Sequence, residues 1–302
     1  MGELVLITGT SSGIGLSAAV ECAAAGHTVV ATMRHLDRRK PLEEAAKARG
    51  VALNVEQLDV TAPSVGSKIR ELILKYGPIY ALVNNAGIAV GGAFEEQTDL
   101  EVREQFETNV FGLMAVTRAA LPSMRAAQRG RIINVSSLSG RVAFPLLSAY
   151  AATKHAVEGF SESLRWELEA FGIDVCLVEP GTFKNPMLRG KQRRADGAKA
   201  RPSEAPASDG AASRRGPASS ATDGSYRALD EAMERLLTEE AEKAAPPDPV
   251  GRAIARLVAE PSPRFRTLVG IDARTLVTLR RMVPDRLFAS GIRRLMALPR
   301  SR

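Results

Sequence analysis

Two cysteines, three histidines and a single tryptophan are all that these 302 residues contain of those types. Two cysteines, Cys22 and Cys176, cannot build a disulfide framework. Both sit in apolar runs (A-V-E-C-A-A-A and D-V-C-L-V), which reads as buried free thiols in a reducing compartment. His27, His35 and His155 share no ligand spacing, so no metal site is expected. Long apolar runs are also missing. The uncharged stretch from Leu4 to Val20 is 17 residues long and is broken by Gly9, Gly13 and Gly15, too short and too interrupted to span a bilayer. Glu3 precedes it and no basic leader does, so it does not read as a signal peptide. A cytoplasmic chain without an integral membrane segment is expected.

Residues 1–183 have no excess of positive charge: they hold 17 Lys and Arg against 20 Asp and Glu. Residues 184–302 hold 24 against 14. The basic character therefore belongs to the C-terminal part, and nucleic-acid binding gains no support from the N-terminal part. What remains is ordinary. A hydrophobic fraction of 45% and a charged fraction of 25% exclude global disorder and suit one α/β domain with a sizeable core.

Short Val/Ile/Leu-rich runs alternate with longer amphipathic stretches over the first 183 residues. The runs Leu4–Thr8, Thr28–Thr32, Val51–Leu58, Ile79–Asn84, Arg131–Ser136 and Asp174–Glu179 read as strands buried on both faces. Helices are expected over Gly13–Ala25, Leu42–Arg49, Ser64–Tyr76, Leu100–Gln128 and Ala149–Phe171. Strand followed by helix, repeated, implies right-handed crossovers and a mostly parallel, doubly wound sheet with helices on both faces. The segment 190–225 differs in kind. Of its 36 residues, 23 are Gly, Ala, Ser or Pro, and none is Val, Ile, Leu, Met or aromatic, so it reads as a disordered low-complexity insertion. Helices near 226–243 and 250–259, a short strand near Thr267–Val269 and a helical tail near 284–298 complete the chain. The organisation is then a core over 1–188, the insertion over 189–225, and a C-terminal completion of the core over 226–302.

Directly after the first run comes T-G-T-S-S-G-I-G, Thr8 to Gly15. Gly9 allows a tight turn, and Gly13 and Gly15 remove side chains where a helix N-terminus must approach a pyrophosphate. Gly9, Ser11, Ser12, Gly13, Ile14 and Gly15 are thus candidate cofactor contacts. The spacing departs from G-x-G-x-x-G. At the end of the second run stand Met33 and Arg34, where NAD-binding chains commonly carry an acid. Arg34 can pair with a 2′-phosphate that a carboxylate would repel, which favours NADP(H) over NAD(H). The lesser reading makes Arg34 one member of the solvated run Arg38-Arg39-Lys40.

After the fourth run comes N-N-A-G, Asn84 to Gly87. An asparagine there can tie loops together, and Ala86 and Gly87 leave room for a flat ring beside Asn85. The strongest signal is S-x12-Y-x3-K: Ser137, Tyr150 and Lys154. Tyr150 and Lys154 share one face of a helix that Ser148 is expected to cap. A phenol can exchange a proton with a carbonyl oxygen as hydride moves at carbon. A nearby ammonium favours the phenolate and draws its pKa toward neutrality, and a serine hydroxyl can hold the substrate oxygen. Ser136 is the alternative for the serine role.

These motifs, with L-D-V at 58–60, N-V at 109–110 and E-P-G at 179–181, resemble those of the short-chain dehydrogenase/reductase family, in order over residues 3–188. The resemblance implies a seven-stranded Rossmann-type sheet and a nicotinamide cofactor. It also implies interconversion of alcohols with ketones or aldehydes on a small molecule. It implies Tyr150 as general acid/base, Lys154 as ribose contact and pKa setter, Ser137 as substrate-orienting hydroxyl, and Asn109 as holder of a relay water. Asp59, with Val60 beside it, is similar to the adenine-contacting acid. Pro180 and Gly181 resemble the turn that places the nicotinamide carboxamide. Where relatives often carry Thr four residues past that glycine, Asn185 stands here, so Thr182 is named for that contact. The pattern V-V-A-T-M-R with E-P-G-T-F is similar to the branch near hydroxysteroid and retinol dehydrogenases, which suggests a lipophilic substrate. Members usually form homodimers or homotetramers through the helices carrying Asn109 and Tyr150. A catalytically silent cofactor-binding relative would be expected to have lost Ser, Tyr or Lys, and all three are present.

In such chains the segment after Pro-Gly covers the substrate. Here Lys184 to Arg215 has nine basic residues against three acidic ones, which reads as a solvated tether or a basic lid. In the tail, Phe288, Ile292 and Leu295 fall at helical spacing among arginines. Packing over the substrate pocket is expected, with peripheral membrane contact as the other reading.

Overall fold

The structure, a computed structural model, describes residues 2–184, 226, 229, 231–233, 235 and 244–295. Seven strands, β1 (Leu4–Thr8), β2 (Thr28–Met33), β3 (Asn54–Gln57), β4 (Ala81–Asn84), β5 (Gly130–Val135), β6 (Ile173–Pro180) and β7 (Arg266–Val269), form one sheet. All pairs are parallel and the order is β3-β2-β1-β4-β5-β6-β7. The expected doubly wound α/β architecture is present, with β7 drawn in from the C-terminal part. The shortest of the expected strands relative to its run is β3. It lies at the sheet edge and pairs only with β2, in a register that begins at Asn54 opposite Val30.

The strand alternation sorts side chains to two faces. Val5 and Ile7 point to one side with Val29, Ala31, Val83 and Ile133. There they meet α1 (Gly13–Ala24), α2 (Lys40–Arg49) and α7 (Asp248–Ala259) through residues such as Ala18, Leu42 and Ile254. Leu4 and Leu6 point to the other side with Val30, Leu82 and Ile132. They meet α3 (Val65–Tyr76), α5 (Leu113–Ala126) and α6 (Ser148–Leu168) through Ile69, Val116 and Leu164. Truncating a fully buried residue such as Ile7 to alanine costs about 2–5 kcal/mol in such a core.

Three expectations change. The single helix expected over Leu100–Gln128 is split into α4 (Asp99–Phe106), a π-helical turn (Glu107–Gly112) and α5. The extra width turns Asn109 inward, and a Cβ at Gly112 would lie 2.8 Å from the Val60 side chain, so the helix passes tightly against the loop after β3. Ser148 is the first helical residue of α6 and not its cap; Leu147 precedes it with no side-chain cap bond. A helix absent from the sequence expectation, α8 (Ile271–Met282), follows β7 through Gly270 at φ +111°. The tail forms α9 (Asp285–Leu295). The insertion read at 189–225, Asn185, most of the helix expected over 226–243 and the tail beyond 295 lie outside the described residues.

Cys22 and Cys176 are free and buried, and burial pushes both thiols up to about 12, so neither is reactive at neutral pH. Among the described residues no helix is long and apolar enough to cross a membrane, and no cluster of three or more metal-ligating side chains occurs.

Candidate active site

The strand order reverses between β1 and β4, and ligands of open parallel sheets bind at such a point, outside the carboxyl ends. The glycine loop leaves β1 there. Gly9 turns at φ +72°, and a Cβ on it would meet the Ala86 backbone at 2.7 Å. A Cβ on Gly15 would stand 2.2 Å from the Gly9 carbonyl oxygen and 2.4 Å from Asn85 Nδ2. The loop is therefore locked to N-N-A-G. Asn85 Nδ2 donates to the carbonyls of Thr8 and Gly9, both at 2.9 Å. The amides of Asn85 and Ala86 donate to Thr8 Oγ1 at 3.0 Å. The tie between loops expected of an asparagine is made by Asn85. Its hydroxyl partner, Thr8, was quoted in the motif without a role.

Ser12 is extended at φ −168°, makes no side-chain cap, and α1 has no acid in its first turn. The amides of Gly13, Ile14 and Gly15 at the positive end of that helix thus lack a side-chain cap, which suits a phosphate. Ser11 is half-buried and Ser12 exposed beside them. Further along the same edge, Arg34 is exposed one residue past β2, and its carbonyl accepts from Gln57 Nε2 at 3.1 Å. Asp59 lies next to it beyond β3, accepting from the Thr61 amide and hydroxyl at 3.0 and 2.7 Å. Val60 is buried. This outer end carries a cation just past β2 and a carboxylate just past β3, at the ends of two paired strands.

The other end gathers the Ser, Tyr and Lys. Ser137 leaves β5 extended, and its Oγ accepts from the Ser139 amide at 3.0 Å, which shapes the short turn Leu138–Gly140. The same hydroxyl lies near the Tyr150 phenol and acts to lower its pKa. Ser136 is buried, and its Oγ has no partner among the described residues, so of the two serines it is Ser137 that meets Tyr150. Lys154, one turn along α6, is buried with Nζ 5.8 Å from the Tyr150 ring centre, and it donates to the Val135 carbonyl at 2.9 Å.

The expected fall of the Tyr150 pKa is not found. Burial pushes the phenol up, and the Ser137 hydroxyl nearby only partly opposes it. Burial also pushes Lys154 down to about 8, opposed by the Glu158 carboxylate. The folded chain therefore releases the Lys154 proton before the unfolded chain does, and stability rises with pH between about 8 and 10.5 through this group. Lys154→Met, which cannot titrate, is expected to be more stable than the parent at neutral pH. Its lead should shrink across that window in denaturant titrations, and a constant lead would contradict the burial argument.

Asn109 is buried. Its Oδ1 accepts from the Ile88 amide at 2.8 Å, and its Nδ2 donates to the Ile88 carbonyl at 2.8 Å and to Thr153 Oγ1 at 3.0 Å. The side chain is thus occupied in pinning the segment after Gly87 to α6, next to Lys154. Beneath, Asn84 donates to Thr117 and Asn134, and Asn134 to Ser161, a buried polar chain that ties β4 and β5 to α5 and α6.

Pro180 ends β6, Gly181 donates to the Val269 carbonyl at 2.8 Å, and the Thr182 amide donates to Asp272 Oδ2 at 2.6 Å. Two groups of residues here had been missed. Glu179 is fully buried against Arg141 at 3.2 Å and Arg266 at 3.3 Å, and Arg266 also bridges Glu158 at 3.2 Å. Burial and the nearby Glu158 carboxylate push Glu179 up. This ion cluster sits under the Ser137 turn, α6 and the Pro-Gly turn at once. Asp272 is the other, and the only signal for it was an acid in the first turn of a helix that the sequence reading lacked.

Apolar side chains border this end. Leu138 and Val142 pack with Ala273 and Val277 of α8 and with Phe288 of α9. Ala93, Leu146 and Met233 pack with Tyr226, Leu229 and Ile292. Phe288 thus packs on the turn that follows Ser137, and Ile292 packs near Leu146, two residues before α6.

The sequence model described as short chain dehydrogenase matches residues 3–196. An uncharacterised oxidoreductase, YusZ of Bacillus subtilis, is 46% identical over 60% of this chain and 65% of its own length. The chain therefore spans just under two thirds of that relative. The 3-ketodihydrosphingosine reductase of Bacteroides thetaiotaomicron is 33% identical over 96% of this chain and 97% of its own. A short-chain dehydrogenase structure from Streptomyces avermitilis superposes with a TM-score of 0.72 at 31% identity, covering 99% of this chain and all of the other. An actinorhodin polyketide ketoreductase solved with NADPH gives 0.69 at 26% identity, covering 89% of this chain and 95% of its own. The chain belongs to the short-chain dehydrogenase/reductase family and is an oxidoreductase built on its Rossmann-type NAD(P)-binding fold.

Proposed function

We propose that this chain interconverts a secondary alcohol and a ketone on a small lipophilic substrate, using NADP(H) in preference to NAD(H), with Tyr150 as general acid/base. The observation that carries the reading is the meeting of the Tyr150 phenol, the Ser137 hydroxyl and the Lys154 ammonium at the sheet edge where the glycine loop begins. When bound, NADP(H) supplies or accepts the hydride. Tyr150, kept protonated by burial, gives its proton to the carbonyl oxygen in reduction and recovers one in oxidation. Ser137 donates to the same oxygen and fixes its position. Lys154, held by the Val135 carbonyl one turn along α6 from Tyr150, contacts the ribose. Asn109 acts with the Ile88 backbone to hold the relay beside Lys154.

At the far end, backbone amides of the loop Gly9 to Gly15 hold the pyrophosphate, Asp59 and Val60 hold the adenine, and Arg34 holds the 2′-phosphate. Asn85, Ala86 and Gly87 bound the nicotinamide ribose, and Pro180, Gly181 and Thr182 set the carboxamide. A lipophilic substrate is supported by the apolar clusters packed around the turn after Ser137, and by the ketone named for the sphingosine-type relative. A homodimer or homotetramer in the cytoplasm completes the proposal, with the free buried thiols as support for a reducing compartment.

Initial rates with NADPH and NADH, run side by side on long-chain ketones and secondary alcohols, test it. NADPH is expected to be favoured. Arg34→Ala should weaken NADPH by about 1.5–3 kcal/mol, roughly 10- to 150-fold, and leave NADH nearly unchanged. Equal losses for both cofactors would remove Arg34 from the 2′-phosphate.

A further inference from the structure

The turn after β6 is held by a residue from far along the chain. Asp272, the second residue of α8, receives the Thr182 amide on Oδ2 at 2.6 Å. Room for this carboxylate is made by two glycines. A Cβ on Gly181 would stand 2.0 Å from Asp272 Oδ1, and one on Gly270 would stand 2.5 Å from the same atom. Gly270 also has φ +111°, the conformation that lets β7 turn at once into α8. From Asp272 onward, α8 packs Ala273 and Val277 onto Leu138 and Val142, directly after Ser137. Phe288 of α9 joins the same cluster. One carboxylate therefore sits where the Pro-Gly turn, the last strand and the helices over the site meet. Its charge suits that place twice: it lies in the first turn of a helix, and it strengthens the bond from the Thr182 amide.

We propose that Asp272 is a positioning residue, latching the Gly181–Thr182 turn to the N-terminus of α8. The turn that sets the nicotinamide and the helices that cover the substrate are thereby placed as one unit. This rests on the assignment of that turn under Proposed function. The carboxylate touches neither reacting group; it acts through the Thr182 backbone. What it must supply is an acceptor at the right reach, so asparagine replaces it and alanine does not.

The test compares wild type, Asp272→Ala and Asp272→Asn. Dissociation constants are measured for NADPH and for 2′,5′-ADP, which carries only the adenine and phosphate end, together with kcat and KM. Asp272→Ala is expected to weaken NADPH roughly 10- to 100-fold, as for loss of a charged hydrogen bond, and to lower kcat. It should leave 2′,5′-ADP within about twofold, since that ligand does not reach the turn. Asp272→Asn should recover most of both losses. Asp272→Ser, too short to reach the amide yet able to serve the first turn of α8, stands in if the alanine chain does not fold. Equal weakening of both ligands, an asparagine chain as impaired as alanine, or unchanged NADPH affinity and kcat would each overturn the latch. A wild-type chain that binds 2′,5′-ADP and NADPH equally well would instead overturn the assignment of the turn itself, and the latch with it.

Discussion

Tyr150→Phe should lower kcat by about 10²–10⁴-fold, the usual worth of a positioned general acid or base, while NADPH affinity stays within about twofold. Phenylalanine keeps the ring and its packing on α6. Only the hydroxyl goes, and with it the proton donor for the substrate oxygen. Ser137 loses one neighbouring hydroxyl but retains the Ser139 amide, so the turn Leu138–Gly140 keeps its shape. The expected signature is therefore a chain that folds, binds cofactor and does not turn over. Stopped-flow rates and equilibrium titration of nicotinamide fluorescence separate the two quantities. Turnover within about tenfold of wild type would take the proton-transfer role away from Tyr150.

Gly15→Ala should sharply weaken cofactor binding. The new carbon would fall 2.2 Å from the Gly9 carbonyl oxygen and 2.4 Å from Asn85 Nδ2, both fixed parts of the loop-to-loop tie. Neither can retreat without opening that tie, and overpacking of this kind costs about 1–3 kcal/mol. The distortion lands on the amides proposed to hold pyrophosphate, so NADPH affinity should fall at least about 100-fold, an amount equal to some 2.7 kcal/mol. Gly159→Ala provides the contrast. Its Cβ would meet nothing within 4 Å, and it lies inside α6, so alanine should leave binding alone and add about 0.5–1 kcal/mol of stability. Calorimetric binding and thermal melts of the two variants check both signs. A Gly15→Ala chain that binds NADPH normally would mean that the loop is not the phosphate site.

The sheet was legible because parallel strands buried on both faces leave unbroken Val/Ile/Leu runs, and the turns after them carry glycine and asparagine. Ser137, Tyr150 and Lys154 were legible for a related reason: a fixed spacing on one helix face survives any change in surroundings. Features that depend on contact across the fold were not. Nothing in F-E-T-N-V-F-G announces a π-helical turn; it is fixed by Val60 crowding Gly112 and by the Ile88 backbone capturing Asn109. The sequence R-T-L-V-G-I-D-A-R-T-L-V-T-L looks strand-like on both sides of Gly270, so α8 and its Asp272 went unseen. The Tyr150 expectation failed because the fold buries the phenol, a change of surroundings that a spacing on one helix face does not show. The partners of Glu179 come from the turn after Ser137 and from β7, which no local pattern joins.

Diffraction from crystals grown with NADP⁺ bears most directly on the reading that a buried phenol serves a nicotinamide at this sheet edge. The expected result is a nicotinamide ring resting against Pro180–Thr182 with its reactive carbon facing Tyr150 and Ser137. A substrate oxygen should then fit about 3–3.5 Å from both hydroxyls. A cofactor bound with its nicotinamide elsewhere, or Tyr150 and Lys154 turned away from it, would contradict the assignment of this site.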